Sequence, residues 1–264
     1  MKKFVKAISL CLALALTLAL TACGGDSSKP AEETTLDDEV MTAGTLVVGI
    51  SADYPPFESL DNEGNLIGYD VDMAKYLADH LTTADGETYQ VEFVQMEFST
   101  IISALQTGQV DVGIAAFSYD PERQCLFTDS YYESSQVVCV RKDSGIASIE
   151  DLSGKTIAAG TGTVGYEKAL EIEGANVVTP GDYLQQFEML RVNQIDAIVC
   201  DAKVGEGYAE NNEEFVVLEE PLVEDNLCIT VREGNTKLLE ALNVAIEEFV
   251  SSGTSDEYKE VWGL

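Results

Sequence analysis

Arg123 is the residue whose neighbours best equip it for chemistry. It ends the run Gly113-Ile-Ala-Ala-Phe-Ser-Tyr-Asp-Pro-Glu-Arg123, just past an apolar segment. A guanidinium there can grip a carboxylate through two parallel charge-assisted hydrogen bonds, with Ser118 and free backbone N–H groups nearby as further donors. A second group is the loop Gly160-Thr-Gly-Thr-Val-Gly165, whose bare N–H groups suit a small anion. It lacks the Lys-Ser/Thr ending of a phosphate-binding P-loop, so nucleotide binding is a weak reading. A third is Asp201, a carboxylate closing the apolar run Ala197–Cys200 and able to accept from an ammonium. One cationic and one anionic anchor, in separate halves, fit a zwitterion such as the backbone of an α-amino acid. Tyr54 and Phe98 add aromatic faces at the same rim. His80, the sole histidine, falls near a helix end and reads as a surface residue.

Several elements must position these groups. Val110 to Ala116 reads as a buried strand of a parallel sheet. Asp120 as N-cap, Pro121 at the first helical position and Glu122 in the first turn predict a short helix carrying Arg123. Leu46–Ile50 is another buried strand, running into the loop Ser51-Ala-Asp-Tyr-Pro-Pro-Phe-Glu58, where Phe57 suits either the pocket or the core. Asp61–Asn65 is a hairpin-like turn; Asp70 is expected to cap a helix with Met73, Ala74, Leu77 and Leu81 on its buried face. Val91–Val94 is a strand, and Ser99 is expected to cap a helix that Gly108 ends. An internal echo follows: Leu105–Ala116 matches Leu190–Asp201 in kind, with helix end, Gly or Asn, Gln, then a strand with Asp at the same offset. Two similar α/β units is the economical reading, placed on either side of strand-like runs at 136–141 and 227–231. The expected division is 44–136 with 229–264 as a discontinuous first lobe and 137–228 as an inserted second lobe. The two joining strands form a hinge.

With 264 residues and 45% hydrophobic content, the chain can bury one large core or two ordinary ones. Residues 1–22 read as a signal segment: Lys2, Lys3 and Lys6 precede an apolar stretch from Ala7 to Leu20 that is too short for a membrane span. Leu20-Thr-Ala-Cys23 looks like a bacterial lipobox, with Cys23 the lipidated residue and 23–43 a flexible tether. The expected location is the outer face of the cytoplasmic membrane. Losing the three signal lysines takes the formal charge from −32 to −35, which argues against nucleic acid and against anionic lipid. Cys125, Cys139, Cys200 and Cys228 lack CxxC spacing, so neither a metal nor another cofactor is expected. Free buried thiols are the default reading, and a Cys139–Cys228 disulfide is conceivable because both fall on the hinge strands.

The motifs Ser-Ala-Asp-Tyr-Pro-Pro-Phe-Glu (51–58), Gly-Tyr-Asp-Val-Asp (68–72), Phe-Ser-Thr-Ile-Ile (98–102), Pro-Glu-Arg (121–123) and Gly-Thr-Gly-Thr-Val-Gly (160–165) resemble the polar amino acid-binding proteins of bacterial ABC importers. The likeness runs over roughly residues 44 to 264. It implies the type II periplasmic-binding-protein fold, an α/β architecture of two lobes closing on a ligand, and delivery of a free amino acid to an ABC permease by a monomer. By that likeness Arg123, Ser118, Ala116, Gly162, Thr163 and Val164 meet the ligand carboxylate, Asp201 and Ala116 its ammonium, and Tyr54 and Phe98 sandwich its side chain. Ser51, Phe117 and Cys200 complete the side-chain pocket. Ser51 stands where members binding basic side chains, or glutamine, carry Asp, so a pocket without counter-charge and a neutral ligand are expected. Other readings on the same framework are a prephenate- or arogenate-type dehydratase, with Glu97 the one acid to suspect, and a sensor for a membrane receptor. A cell-wall-cleaving role would need a further catalytic domain.

Overall fold

The computed structural model describes residue 40 and residues 43–83 and 86–264. The signal segment, Cys23 and most of the tether lie outside the described residues. In chain order the elements are β1 (Thr45–Ile50), β2 (Asp53–Tyr54), β3 (Glu58–Leu60), β4 (Leu66–Ile67), α1 (Tyr69–His80), β5 (Gln90–Gln95), α2 (Phe98–Thr107), β6 (Val112–Ser118), β7 (Leu126–Phe127) and β8 (Tyr132–Arg141). After a 3₁₀ turn at Ile149–Leu152 come β9 (Thr156–Ala158), α3 (Val164–Leu170), β10 (Asn176–Val178), α4 (Tyr183–Arg191), β11 (Ala197–Asp201), α5 (Ala202–Asn211), β12 (Phe215–Val217), β13 (Val223–Val231), α6 (Thr236–Ser251) and α7 (Thr254–Trp262).

One sheet runs β10-β9-β11-β8-β13-β6-β1-β5, with β12 added to β8 and β7 to β13. Its two ends are parallel: β1 pairs β5 and β6, while β9 pairs β10 and β11. Between them β8 and β13 run antiparallel, paired from Val223 and Gln136 to Leu227 and Tyr132. Past that segment they part: β8 continues beside β11 and β13 continues beside β6. The fold is thus the two-lobed type II architecture, two α/β lobes joined by two strands. Both faces of the sheet are covered, which is why its strands are continuous apolar runs. On β8, Val137 and Cys139 face one core and Val138 and Val140 the other.

The internal echo is structural. Gly108 (φ 73°) and Asn193 (φ 58°) both take the left-handed conformation that stops a helix. Three residues later each unit has an aspartate that reaches the neighbouring strand: Asp111 Oδ2 accepts from the Val47 amide at 2.9 Å, Asp196 Oδ2 from the Thr156 amide at 2.8 Å. The two motifs end at Ala116 and Asp201, at the carboxyl ends of β6 and β11, where open α/β sheets present ligands.

Three local expectations are corrected. Residues 120–125 form a turn, not a helix: Asp120 Oδ1 accepts from the Glu122 amide, and Leu126 and Phe127 are then drawn into pairing with Val231 and Thr230 of β13. Asp70 does not cap α1; Gly68 (φ 138°) holds that position, because a Cβ there would lie 2.0 Å from the Phe57 carbonyl. The N-cap of α2 is Glu97, not Ser99. Cys139 and Cys228 are free, as the default reading has them, and they lie beyond opposite ends of the hinge pair, Cys139 beside Ile198 of β11 and Cys228 beside Phe117 of β6.

Candidate functional site

Between the lobes lies a cavity of ≈ 160 Å³, room for one small molecule. The first lobe contributes Ser51, Asp53, Tyr54, Glu58, Glu97, Phe98, Ala116, Ser118 and Arg123, and the second Gly160, Thr161, Thr163, Thr179, Tyr183 and Gln186. Gln136, from β8, lines it where the strands cross.

Arg123 reaches across. Its Nη2 donates to the Gly162 carbonyl at 2.8 Å, its Nε stands 3.7 Å from Asp120 Oδ2, and the guanidinium carbon lies 5.3 Å from the centre of the Phe117 ring and 5.9 Å from that of Phe98. Its Nη1 is buried with no hydrogen-bond partner. A buried donor left unpaired is costly, and a carboxylate in the cavity removes that cost.

Asp201 ends β11 and caps α5, fully buried. Its Oδ1 accepts from the Lys203 amide at 3.0 Å and its Oδ2 from the Ser134 hydroxyl. Burial pushes the carboxyl up to about 7, against the pull of those two hydrogen bonds. Its own amide donates to the Tyr54 hydroxyl at 2.7 Å, a direct tie between lobes. Tyr54 also meets Tyr183 of the second lobe, ring centres 4.8 Å apart.

Other expected residues take different duties. The Ala116 amide, expected to face a ligand carboxylate, donates instead to Asp70 Oδ2 at 3.0 Å, which also receives the Tyr131 hydroxyl at 2.9 Å. Ala116 itself is left-handed, φ 46°. The Ser118 hydroxyl donates to Asp225 Oδ2; having one hydrogen to give, it offers the cleft lone pairs rather than a donor. Thr163 caps α3 by accepting from the Tyr166 amide at 3.1 Å and donates to the Gly160 carbonyl at 2.9 Å. Phe117, with its ring stacked 4.5 Å from that of Phe98, and Cys200 are buried in the cores and, like Gly162, Val164 and Asp201, lie outside the cavity lining.

The expectation of a pocket without counter-charge is corrected. Ser51 donates to Asp53 Oδ1 at 2.8 Å, and Asp53, Glu58 and Glu97 all line the cavity, against Arg123 as the one cation in the lining among the described residues. Burial raises the Asp53 carboxyl, with Asp182 and Glu97 adding to it. Burial and then Asp70 hold the Glu58 carboxyl well above its ordinary range. Gln186, fully buried, donates to the Pro180 carbonyl at 3.1 Å and leaves its Oε1 unpartnered. Sequence reasoning missed Tyr183, Gln186, Gln136 and Asp225; nothing in the spacing of an amphipathic helix or a hinge strand marks which polar residue turns inward.

Residues 46–264 match the family described as bacterial extracellular solute-binding proteins, family 3, and the chain belongs to it. Among curated relatives, the arginine-binding extracellular protein ArtP of Bacillus subtilis (strain 168) is 32% identical over 99% of this chain and 98% of its own. The L-cystine-binding protein TcyJ of Escherichia coli (strain K12) is 30% identical over 95% and 94%. Among solved structures, a mutant of ArgBP from T. maritima is 35% identical, covering 86% of this chain and 98% of its own with a TM-score of 0.79. An ancestral arginine-binding protein bound to arginine is 36% identical, covering 83% and 98%, with a TM-score of 0.77.

Proposed function

We propose that the protein captures an amino acid with a cationic side chain, of the arginine type, between its two lobes and delivers it to an ABC importer. The observation that carries this reading is the pair of unpartnered groups at one cavity: a guanidinium donor at Arg123 Nη1 and an acceptor at Gln186 Oε1. A ligand that meets them brings a carboxylate and an N–H donor. Asp53 and Glu97 add negative charge, and Phe98, Tyr54 and Tyr183 add faces on which a planar cation stacks. A neutral side chain would bring no opposite charge to those carboxylates. Arg123 holds the α-carboxylate and Asp201 faces the α-ammonium, and closure bends the chain where β8 and β13 cross, between the lobes 44–136 with 229–264 and 137–228. The curated relatives named above are binding proteins, which favours capture over turnover.

A thermal-shift screen across the twenty amino acids tests this. Arginine or lysine raises Tm most, since a ligand at 100 times its Kd stabilises by about 2.7 kcal/mol. A shift confined to neutral amino acids overturns the cationic reading. The mature chain is acylated at Cys23 and acts as a monomer; Cys23→Ala is expected to move it from the membrane fraction to the soluble one, and retention in the membrane would contradict that.

A further inference from the structure

Asp225 sits on β13 within the hinge pair and is only 8% exposed. Three donors converge on its carboxylate. The Ser118 hydroxyl and Gln136 Nε2, the latter at 3.0 Å, give to Oδ2, and the Asn226 amide gives to Oδ1 at 2.7 Å. A carboxylate accepts at both oxygens, so it alone among side chains of this size satisfies all three; an amide would turn a donor toward one of them. Ser118 and Gln136 line the cavity, and Ser118 ends β6 beside Leu227 of β13. The hydroxyl is therefore fixed at its hydrogen by the hinge and open at its lone pairs to the cleft.

We propose that Asp225 is a positioning residue for ligand recognition: by holding the Ser118 hydrogen it aims the hydroxyl lone pairs at the ligand α-ammonium and passes its negative charge to that ammonium through Ser118. This rests on the amino acid reading above and adds a residue to it. A hydroxyl polarised by a carboxylate is a stronger acceptor than a free one. Asp201, behind the cavity wall, is the second lobe's charge for the ammonium and Ser118 the first lobe's contact, with Asp225 behind it on the hinge strand, so the ammonium meets both only when the lobes shut. The hinge strand thereby takes part in recognition instead of serving as a passive tether.

The test is calorimetric titration of two probes, L-arginine and 5-guanidinopentanoic acid, which lacks only the α-amine. The proteins are wild type, Asp225→Asn, Ser118→Ala and the double variant. Asp225→Asn is expected to weaken L-arginine about tenfold and to leave 5-guanidinopentanoic acid within about threefold of wild type. On the Ser118→Ala background, Asp225→Asn adds no further loss, because its route to the ligand is gone. Equal weakening of both probes, or losses that multiply in the double variant, would mean a merely structural role and overturn the proposal. If Asp225→Asn does not fold, Ser118→Ala with the two probes decides alone: amine-dependent loss supports the relay, equal loss on both refutes it. A wild-type protein that binds neither probe removes the arginine-type reading, and the proposal with it, whereas wild-type binding with equal losses removes only the role of Asp225.

Discussion

Arg123→Ala is expected to lower affinity for the cognate amino acid by roughly two to four orders of magnitude. The guanidinium is already partly engaged. One nitrogen is spent on the Gly162 carbonyl across the cleft, another stands near Asp120, and Nη1 is buried without a partner. A ligand carboxylate pairing with it sits among the Phe98 and Phe117 rings, with little water to replace a lost partner. Removing one member of such a buried pair costs about 3–5 kcal/mol, and each 1.4 kcal/mol is tenfold in Kd. Part of the loss comes from the severed bond to Gly162, which helps hold the lobes together. Arg123→Lys keeps the charge but not the planar fork, so it is expected to recover only a fraction. Titration calorimetry reads this directly; binding by Arg123→Ala within about threefold of wild type would remove Arg123 from the site.

The second large effect is in pH. Burial holds the Asp201 carboxyl at about 7 in the ligand-free protein, so it is largely protonated below that. Pairing with an ammonium requires the charged form, so ligand binding pulls the proton off. Affinity is therefore expected to fall as pH drops below 7, by up to about tenfold per unit for one proton. Stability of the ligand-free protein runs the other way. A carboxyl whose folded value is raised binds its proton more tightly when folded. Its contribution to stability is greatest below the unfolded value near 4, is lost as pH rises toward 7, and is flat above. Asp70, raised to about 6 by burial, titrates in an overlapping range while pairing with Ala116 and Tyr131. Asp201→Asn separates the two: it is expected to weaken binding at pH 8 and to flatten the profile between pH 5 and 7. An unchanged profile in that variant would assign the titration elsewhere.

Much of this was legible because it is local. The glycine and asparagine helix stops, and the aspartates three residues beyond them, repeat in sequence and then in space at Asp111 and Asp196. Pro-Glu-Arg located Arg123, and the apolar runs located the strands. What failed was long-range. Asp120-Pro121-Glu122 is a sound helix start, yet four residues on the chain is claimed by β13, over 100 positions away. Asp53 and Glu97 stand close to the pocket residues in the sequence, but a loop has no periodicity to say that they turn inward. Asp225 falls outside the strand-like run 227–231 that the sequence marks; only the register of β13 against β6 and β8 puts it between Ser118 and Gln136. Cys139 and Cys228 share the hinge strands in sequence but neighbour different strands, β11 and β6, because the hinge strands pair only from Tyr132 to Gln136.

Recognition rests on the α-carboxylate of a free amino acid docking on Arg123. Calorimetric titration of the wild-type protein with its amino acid and with the corresponding decarboxylated amine measures it most directly, since the two differ only in that group. Saturable one-to-one binding of the amino acid is expected, with the amine weaker by at least about a hundredfold. Comparable affinities for the two would contradict it.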